Sequence, residues 1–312
     1  MSARVISHLH PDAVRLAAEI LGNGGLVALP TETVYGLGAS MTSPAGIKRV
    51  FAVKGRPADH PLIVHGATTS ILDDVGIEVN DLARQLASAV WPGPLSLLIR
   101  RSPNVDQLVT GGRSTVVVRV PAHDFFRNVV SSLGCPIAAP SANRFGRVSP
   151  TTAEHVLTDL GDDIDLIVDG GPSVVGVESS IVDTTTDPPQ VLRHGGIPIE
   201  DLEHIAGVKF ADAHGLSRAP GMLASHYSPR CKILLAENSR EASEILDGLP
   251  AGRSGLIELV EPVSMYAATL YASLRACDER GWTHAVAVLP PRAGLGRAIR
   301  DRLERAASPS AG

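Results

Sequence analysis

The sequence predicts an α/β protein in two parts, a larger twisted mixed sheet covered by helices and a smaller three-layer unit after it. Three observations carry this expectation. Apolar strands alternate with helical patterns along most of the chain. The strands crowd together after residue 164. The 312 residues also exceed the roughly 100 to 200 of a typical domain.

Ala13, Val14, Ala17, Ile20 and Leu21 fall at helical spacing, and the breakers GNGG end that helix before LVAL continues as a buried strand. Ser43-Pro44 joins an N-cap residue to a proline at the first helical position, opening a helix through Val53. LIVH (62–65), LSLLI (95–99) and TVVVRV (115–120) read as strands, followed by PIAA, DLIVD, SSIVD and QVLRH. Helices are expected over 81–90, 122–133 and 150–160, the last opened by Ser149-Pro150. The tight strand spacing after residue 164 predicts an antiparallel arrangement there.

From Gly207 to Pro229 the periodicity lapses, and the stretch reads as a linker long enough to be functional. CKILLA, a helix over 239–247, GLIELV, a helix over 264–280, HAVAVL and a helix over 295–307 then alternate cleanly. That order predicts a small, parallel, Rossmann-like three-layer domain. The expected divisions are 1–206, 207–229 and 230–312.

Composition excludes several classes. Hydrophobic residues at 44% and charged residues at 20% are ordinary for a globular chain, so disorder is expected only at the ends. Twenty-eight Lys and Arg against 33 Asp and Glu give a formal charge of −5, which lacks the positive field of a non-specific nucleic-acid binder. Cys135, Cys231 and Cys277 are far apart with no CxxC, which argues against structural zinc and suits a reducing compartment. The first residues lack the apolar core of a signal peptide, and no apolar run approaches the roughly 20 residues of a membrane helix. A cytoplasmic protein without membrane contact is expected.

Several segments gather hydrogen-bonding residues at the ends of strands or helices. AAPSANRFGRVSPTT (138–152) follows a short apolar run, where open α/β sheets keep their ligands, although Ser, Asn and Gly are also ordinary turn residues. LPTETVYGLGA (29–39) places Thr31, Glu32, Thr33 and Tyr35 after a strand, with Gly36 and Gly38 open to close ligand approach or to a simple turn. KGRPADHPLIVHG (54–66) carries Lys54 past a helix end, an ordinary dipole preference, but Arg56, His60 and His65 add what a polyphosphate demands. Thr115 and Arg119 lie in phase on one strand, and an arginine among valines needs an anion, either a structural carboxylate or a ligand's. VGVESSIVD adds Ser179 and Ser180, and LRHGG adds Arg193. Basic side chains at element ends in an acidic protein describe a pocket for something small and strongly anionic. No GxxxxGK[ST], kinase set, strand-GxGxxG-helix or GxSxG elbow is present.

PTETVYGLGA, KGRPADHPL, WPGPLSLLI, VVVRVP, PIAAPSANRFGRVSP, GVESSIVD and LRHGG stand in the order of the YrdC-domain family of L-threonylcarbamoyladenylate synthases, which this chain resembles. PGMLASHYSP resembles the linker of the long form, and LYASLRACDERG with GLGRAIRDRL resembles its extra domain. The resemblance implies a YrdC-like catalytic domain over 1–206, a linker or lid over 207–229 and an accessory domain over 230–312. It implies condensation of L-threonine, bicarbonate or CO2, and ATP to threonylcarbamoyl-AMP and pyrophosphate. The product would pass to a separate tRNA threonylcarbamoyl transferase.

Position by position, Lys54, Arg56, Ser141 and Asn143 match the family's KxR and SxN signature, which implies places around the triphosphate and the reacting carbamate. Thr33, His65, Arg119, Ala139 and Ser179 match the threonine site, with Arg119 on the carboxylate. His60, Thr115, Ser149 and Arg193 match ATP contacts, together with Arg56 and Ser141, and Tyr227 would close over the nucleotide. No carboxylate cage for a metal is visible, consistent with Mg2+ carried on phosphate oxygens. Where many relatives carry basic residues in the linker, this chain has Leu223 and Ser225. The rival readings are an RNA-binding translation factor using the same cavity, against which the acidity counts, and carbamoyl transfer as in hydrogenase-maturation proteins. The latter carry zinc-finger cysteines that are absent here.

Overall fold

A computed structural model of the chain describes residues 3–213 and 227–308. The order begins β1 (Arg4–Ser7), α1 (Ala13–Gly22), β2 (Val27–Leu29), β3 (Gly36–Ser40), α2 (Pro44–Lys54), β4 (Ile63–His65), α3 (Ile71–Val75) and α4 (Asp81–Val90). It continues through β5 (Leu95–Arg100), α5 (Gln107–Thr110), β6 (Thr115–Arg119), α6 (Asp124–Leu133), β7 (Ile137–Ala138) and α7 (Ala153–Leu160). Then follow β8 (Leu166–Asp169), β9 (Ser180–Asp183), β10 (Gln190–Arg193), α8 (Ile199–Ala206) and β11 (Ala211–Asp212). These strands form one mixed sheet in the order β1-β8-β2-β3-β7-β4-β6-β5-β9-β10-β11.

The antiparallel pairs sit mostly in the first half of the chain, contrary to the expectation from strand spacing. β2 and β3 pair antiparallel, as do β3 and β7, β4 and β7, and β5 and β6. Among the described residues after 164 only β9 and β10 form an antiparallel pair, while β8 runs parallel to β1 and β2, and β9 runs parallel to β5. Spacing along the chain reports only the nearest connection, and these strands find partners that are distant in sequence.

β3 lies in a segment that reads as a glycine-rich turn, yet it is a buried strand. A side chain at Gly38 would meet Ile137 at 3.1 Å and the Val27 carbonyl at 3.2 Å, so this glycine serves sheet packing and not ligand approach. The helix after the SANRFGR loop is α7, and it starts later than Ser149-Pro150 predicts. Thr152 is its cap, with the side-chain oxygen accepting from the His155 N–H at 3.3 Å. Ser149 is thereby freed for a long-range partner.

The C-terminal unit comprises β12 (Lys232–Ala236), α9 (Ser239–Asp247), β13 (Ser254–Ile257), α10 (Val263–Glu279), β14 (His284–Val288) and α11 (Leu295–Ala307). Its three strands are parallel in the order β12-β14-β13, as the alternation predicts. Its core is not closed on itself. Tyr266, Tyr271, Leu274 and Leu303 share one buried cluster with Val34, Val148 and Val177 of the larger unit. Arg275 of α10 pairs with Asp159 of α7 at 2.6 Å where both are nearly buried, and Arg297 of α11 pairs with Glu200 of α8 at 3.1 Å.

Candidate active site

Strand ends and the loops after them converge on one cavity. It is lined by Thr31, Thr33, Val34 and Gly36 from the β2–β3 segment, and by Arg56, Ile63, His65 and Arg119 from the ends of α2, β4 and β6. Ala139, Pro140 and Ser141 line it from the loop after β7, Glu178 and Ser179 from the segment just before β9, Arg193 from the end of β10, and Tyr227 from the segment before the C-terminal unit. The parallel pairing of β4 with β6 sets His65 opposite Arg119, which fixes these two side by side.

The entrance turn is held by Thr31, whose hydroxyl accepts from the N–H groups of Thr33 (3.1 Å) and Val34 (3.2 Å) and donates to the Val34 carbonyl (2.7 Å). Arg56 is buried and braced from behind, Nη2 donating to the Pro61 carbonyl at 2.9 Å and Nε to the His60 carbonyl at 3.3 Å, with the Phe145 ring 5.8 Å away. Burial lowers its pKa to about 10, still fully charged at neutral pH. Arg193 is held by the Ser179 carbonyl and hydroxyl, each at 3.0 Å. Ser179 in turn hydrogen-bonds Ser96 at 2.8 Å. Burial, and then the neighbouring Arg119, push the His65 imidazole down to about 3, so it is neutral, with Nδ1 donating to the Ile63 carbonyl at 3.1 Å.

Arg119 already has a structural carboxylate. Its Nη2 lies 2.7 Å from Glu32 Oε1, both residues buried, and its Nε donates to the Gly93 carbonyl at 3.2 Å. Nη1 has no hydrogen-bond partner among the described residues. The Glu32 oxygens and Nη2 are close but off-line for a hydrogen bond, so the contact is an ion pair by charge more than by direction.

Of the expected site residues, Thr33, Arg56, His65, Arg119, Ala139, Ser141, Ser179, Arg193 and Tyr227 all line this cavity. Five do not. Lys54 is buried with its ammonium turned into the loop, donating to the carbonyls of Ser141 (2.6 Å) and Asn143, and burial followed by the charge of Arg56 depresses its pKa strongly. Asn143 donates to the Arg144 and Arg147 carbonyls at 2.8 and 2.7 Å. These two members of the KxR and SxN signature hold the loop that carries Ser141. His60 sits against Phe145, the ring centroids 5.4 Å apart, beside Arg56. Thr115 lies at the far end of β6, about 13 Å from Arg119 at the usual rise per residue. Ser149 is wholly buried behind the wall and donates to Glu178 Oε1 at 2.7 Å. Leu223 and Ser225 lie outside the described residues.

Three charged residues escape the sequence reading of roles. Glu32 and Glu178 stand inside quoted motifs, PTETV and GVESS, and a lone acid among apolar and hydroxyl residues is the signal that could have found them. Arg302 offers none, being one of several arginines on an amphipathic helix. It is fully buried, and its Nε donates to Glu178 Oε2 at 2.9 Å.

The scaffold and cavity define an α/β core that gathers buried guanidinium groups and hydroxyls at the ends of its strands. Residues 19–195 match the family model described as "Telomere recombination", and residues 197–308 match the one described as "Threonylcarbamoyl-AMP synthase, C-terminal domain". The threonylcarbamoyl-AMP synthase of Pyrococcus abyssi is 38% identical over 94% of this chain and 93% of its own. That of Bacillus subtilis is 39% identical over 93% of this chain and 92% of its own. The crystal structure of P. abyssi Sua5 complexed with L-threonine superposes with a TM-score of 0.91 at 37% identity, covering 94% of each chain. The chain belongs to the threonylcarbamoyl-AMP synthase family, in its long form with the C-terminal domain.

Proposed function

We infer that this cavity is where the enzyme condenses L-threonine, bicarbonate or CO2, and ATP to threonylcarbamoyl-AMP and pyrophosphate for tRNA modification. The observation that carries the reading is the convergence of Arg56, Arg119 and Arg193, all buried, on one cavity that also presents the hydroxyls of Thr33, Ser141 and Ser179. An amino-acid carboxylate and a triphosphate both need such partners.

In the proposed sequence the threonine amine takes up CO2 to give a carbamate and a proton, or bicarbonate to give a carbamate and water. A carbamate oxygen then bonds to the α-phosphorus as the α–β bridging bond breaks, and pyrophosphate leaves with the electron pair. Arg119, through Nη1, takes the threonine carboxylate while Glu32 and Gly93 hold the rest of its guanidinium still. The neutral His65, Thr33, Ala139 and Ser179 shape the amino-acid end without adding charge. Arg56, Ser141 and Arg193 take the phosphates, and Tyr227 closes the nucleotide end. Lys54 and Asn143 act by holding the Ser141 loop, and Ser149 by holding Glu178. Orientation and fixed charge supply most of the acceleration.

The described residues offer no ready cage for a metal. Glu178, the one carboxylate among the described lining residues, is engaged by Arg302, Tyr271 and Ser149, and no group of three potential ligands lies together among the described residues. A Mg2+ arriving on ATP phosphate oxygens fits this lining, and no step is assigned to it. The division of labour proposed is catalysis by 1–206, closure by 207–229 and support by 230–312, in the cytoplasm, with the product handed to a tRNA threonylcarbamoyl transferase. The test is pyrophosphate release by the purified enzyme with ATP, Mg2+ and bicarbonate, comparing L-threonine, L-serine and no amino acid. Threonine-dependent release with a threonylcarbamoyl-AMP mass is expected, and release indifferent to threonine would overturn the reading.

A further inference from the structure

The wall of the cavity nearest the C-terminal unit contains a carboxylate, which is an awkward neighbour for a polyphosphate. Glu178 is buried and both of its oxygens are engaged. Oε1 accepts from Ser149 Oγ at 2.7 Å, and Oε2 accepts from Tyr271 Oη at 2.7 Å and from Arg302 Nε at 2.9 Å. Tyr271 and Arg302 come from α10 and α11, 93 and 124 residues further along the chain.

Arg302 is more than a packing residue. Its side chain is completely buried, and its Nη1 donates to the His194 carbonyl and to Asp301, both at 2.8 Å. Its guanidinium also lies 5.3 Å from the centroid of the Tyr227 ring, which stacks on Tyr271 at 5.6 Å. Burying an arginine is expensive, and an aliphatic side chain would satisfy packing alone at lower cost. Tyr227 itself takes a left-handed backbone conformation, φ 63°, strained for a residue with a side chain, and the flanking Ser228 N–H is tied to the Gly146 carbonyl at 3.0 Å. Arg302 and Tyr271 both pack against the ring where it lines the cavity wall. Although burial alone would raise the Glu178 carboxyl, Arg302, Arg193, Ser149 and Tyr271 outweigh it and hold it at about 2, so it is charged whenever the enzyme works.

We propose that Arg302, with Tyr271 as second donor, is a positioning residue supplied to the active site by the C-terminal unit. It cancels the charge of the wall carboxylate Glu178 so that an anionic nucleotide can approach, and it seats Tyr227 against that nucleotide. This rests on the reading that ATP occupies the cavity.

The test uses full-length protein and pyrophosphate release at saturating threonine, with ATP varied, for wild type, Arg302→Gln, Glu178→Gln and the double variant, each checked for folding by circular dichroism. Arg302→Gln is expected to raise the KM for ATP about tenfold or more by leaving Glu178 uncompensated. The double variant should return that KM part of the way to the wild-type value, because the opposing charge is gone while the Arg302 contact with Tyr227 is not restored. A merely structural arginine would lower unfolding stability in the single variant and recover it in the double, while the KM for ATP of the folded protein stayed at the wild-type value throughout. An unchanged KM in Arg302→Gln, or a double variant as poor as the single, overturns the proposal. Should Arg302→Gln not fold, Glu178→Gln decides alone: a KM for ATP below wild type supports the proposal and a rise refutes it. Absence of threonine-dependent release in the wild type would remove the functional reading and this one with it.

Discussion

Lys54 and Arg56 stand two residues apart at the end of α2, yet burial sends their charges to different places. Arg56 faces the cavity with its back braced by two carbonyls, whereas Lys54 donates into the SANRFGR loop. Arg56→Ala should therefore abolish threonine-dependent pyrophosphate release while circular dichroism stays native. Lys54→Met should instead lower unfolding stability by about 1 to 3 kcal/mol, since it strands buried carbonyls, and should reduce activity only through the displaced loop. Equal losses of stability in both variants would contradict that division. His65 carries a pH prediction. Its folded pKa is about 3 against an ordinary 6.5, so the folded protein binds fewer protons between those values. Its contribution to stability is whole above about pH 6.5 and is lost as pH falls toward 3. Thermal unfolding midpoints of His65→Gln should decline less steeply than those of the wild type between pH 7 and pH 5, a window above the ordinary carboxylate range.

Among elements, the short loop from Asn143 to Thr152 shows how a local rule can select the wrong residue. Ser149-Pro150 has the composition of a helix start, but the side chain that caps α7 belongs to Thr152. Thr152→Ala should cost about 1 kcal/mol in chemical denaturation and leave the KM for ATP alone. Ser149→Ala should disturb the Glu178 anchor and shift that KM. The reverse pattern would restore Ser149 as the cap. Most other elements were legible, because apolar periodicity is a local property that survives in a single sequence. β3 was not, since its glycines mimic a turn, and the direction of β8 and β9 was not, since their partners come from far along the chain.

At the scale of the molecule, the C-terminal unit and the larger one share a single apolar cluster, in which Val34, Val148 and Val177 meet Tyr266 and Tyr271. Arg275 and Asp159 fasten the same boundary, and Arg275 also donates to the Val148 carbonyl at 2.5 Å. Arg275→Ala leaves Asp159 unpaired in a nearly dry place and should lower stability by about 3 kcal/mol, read as a drop in the unfolding midpoint with one cooperative transition. Two separated transitions in the wild type would show that the units are energetically independent.

The sequence by itself determined the α/β class, the alternation of the C-terminal unit, the family and most of the residues that line the cavity. Hydrophobic period and the clustering of hydrogen-bonding residues at element ends are written locally, and the motifs stand in a fixed order. Only the tertiary structure decided that Lys54 turns inward, that Arg119 already has Glu32, and that Glu178 is neutralised by an arginine 124 residues away. Pairing of buried charges depends on distances that the chain creates only by folding, because desolvation makes every such charge seek whichever partner the packed structure brings within reach.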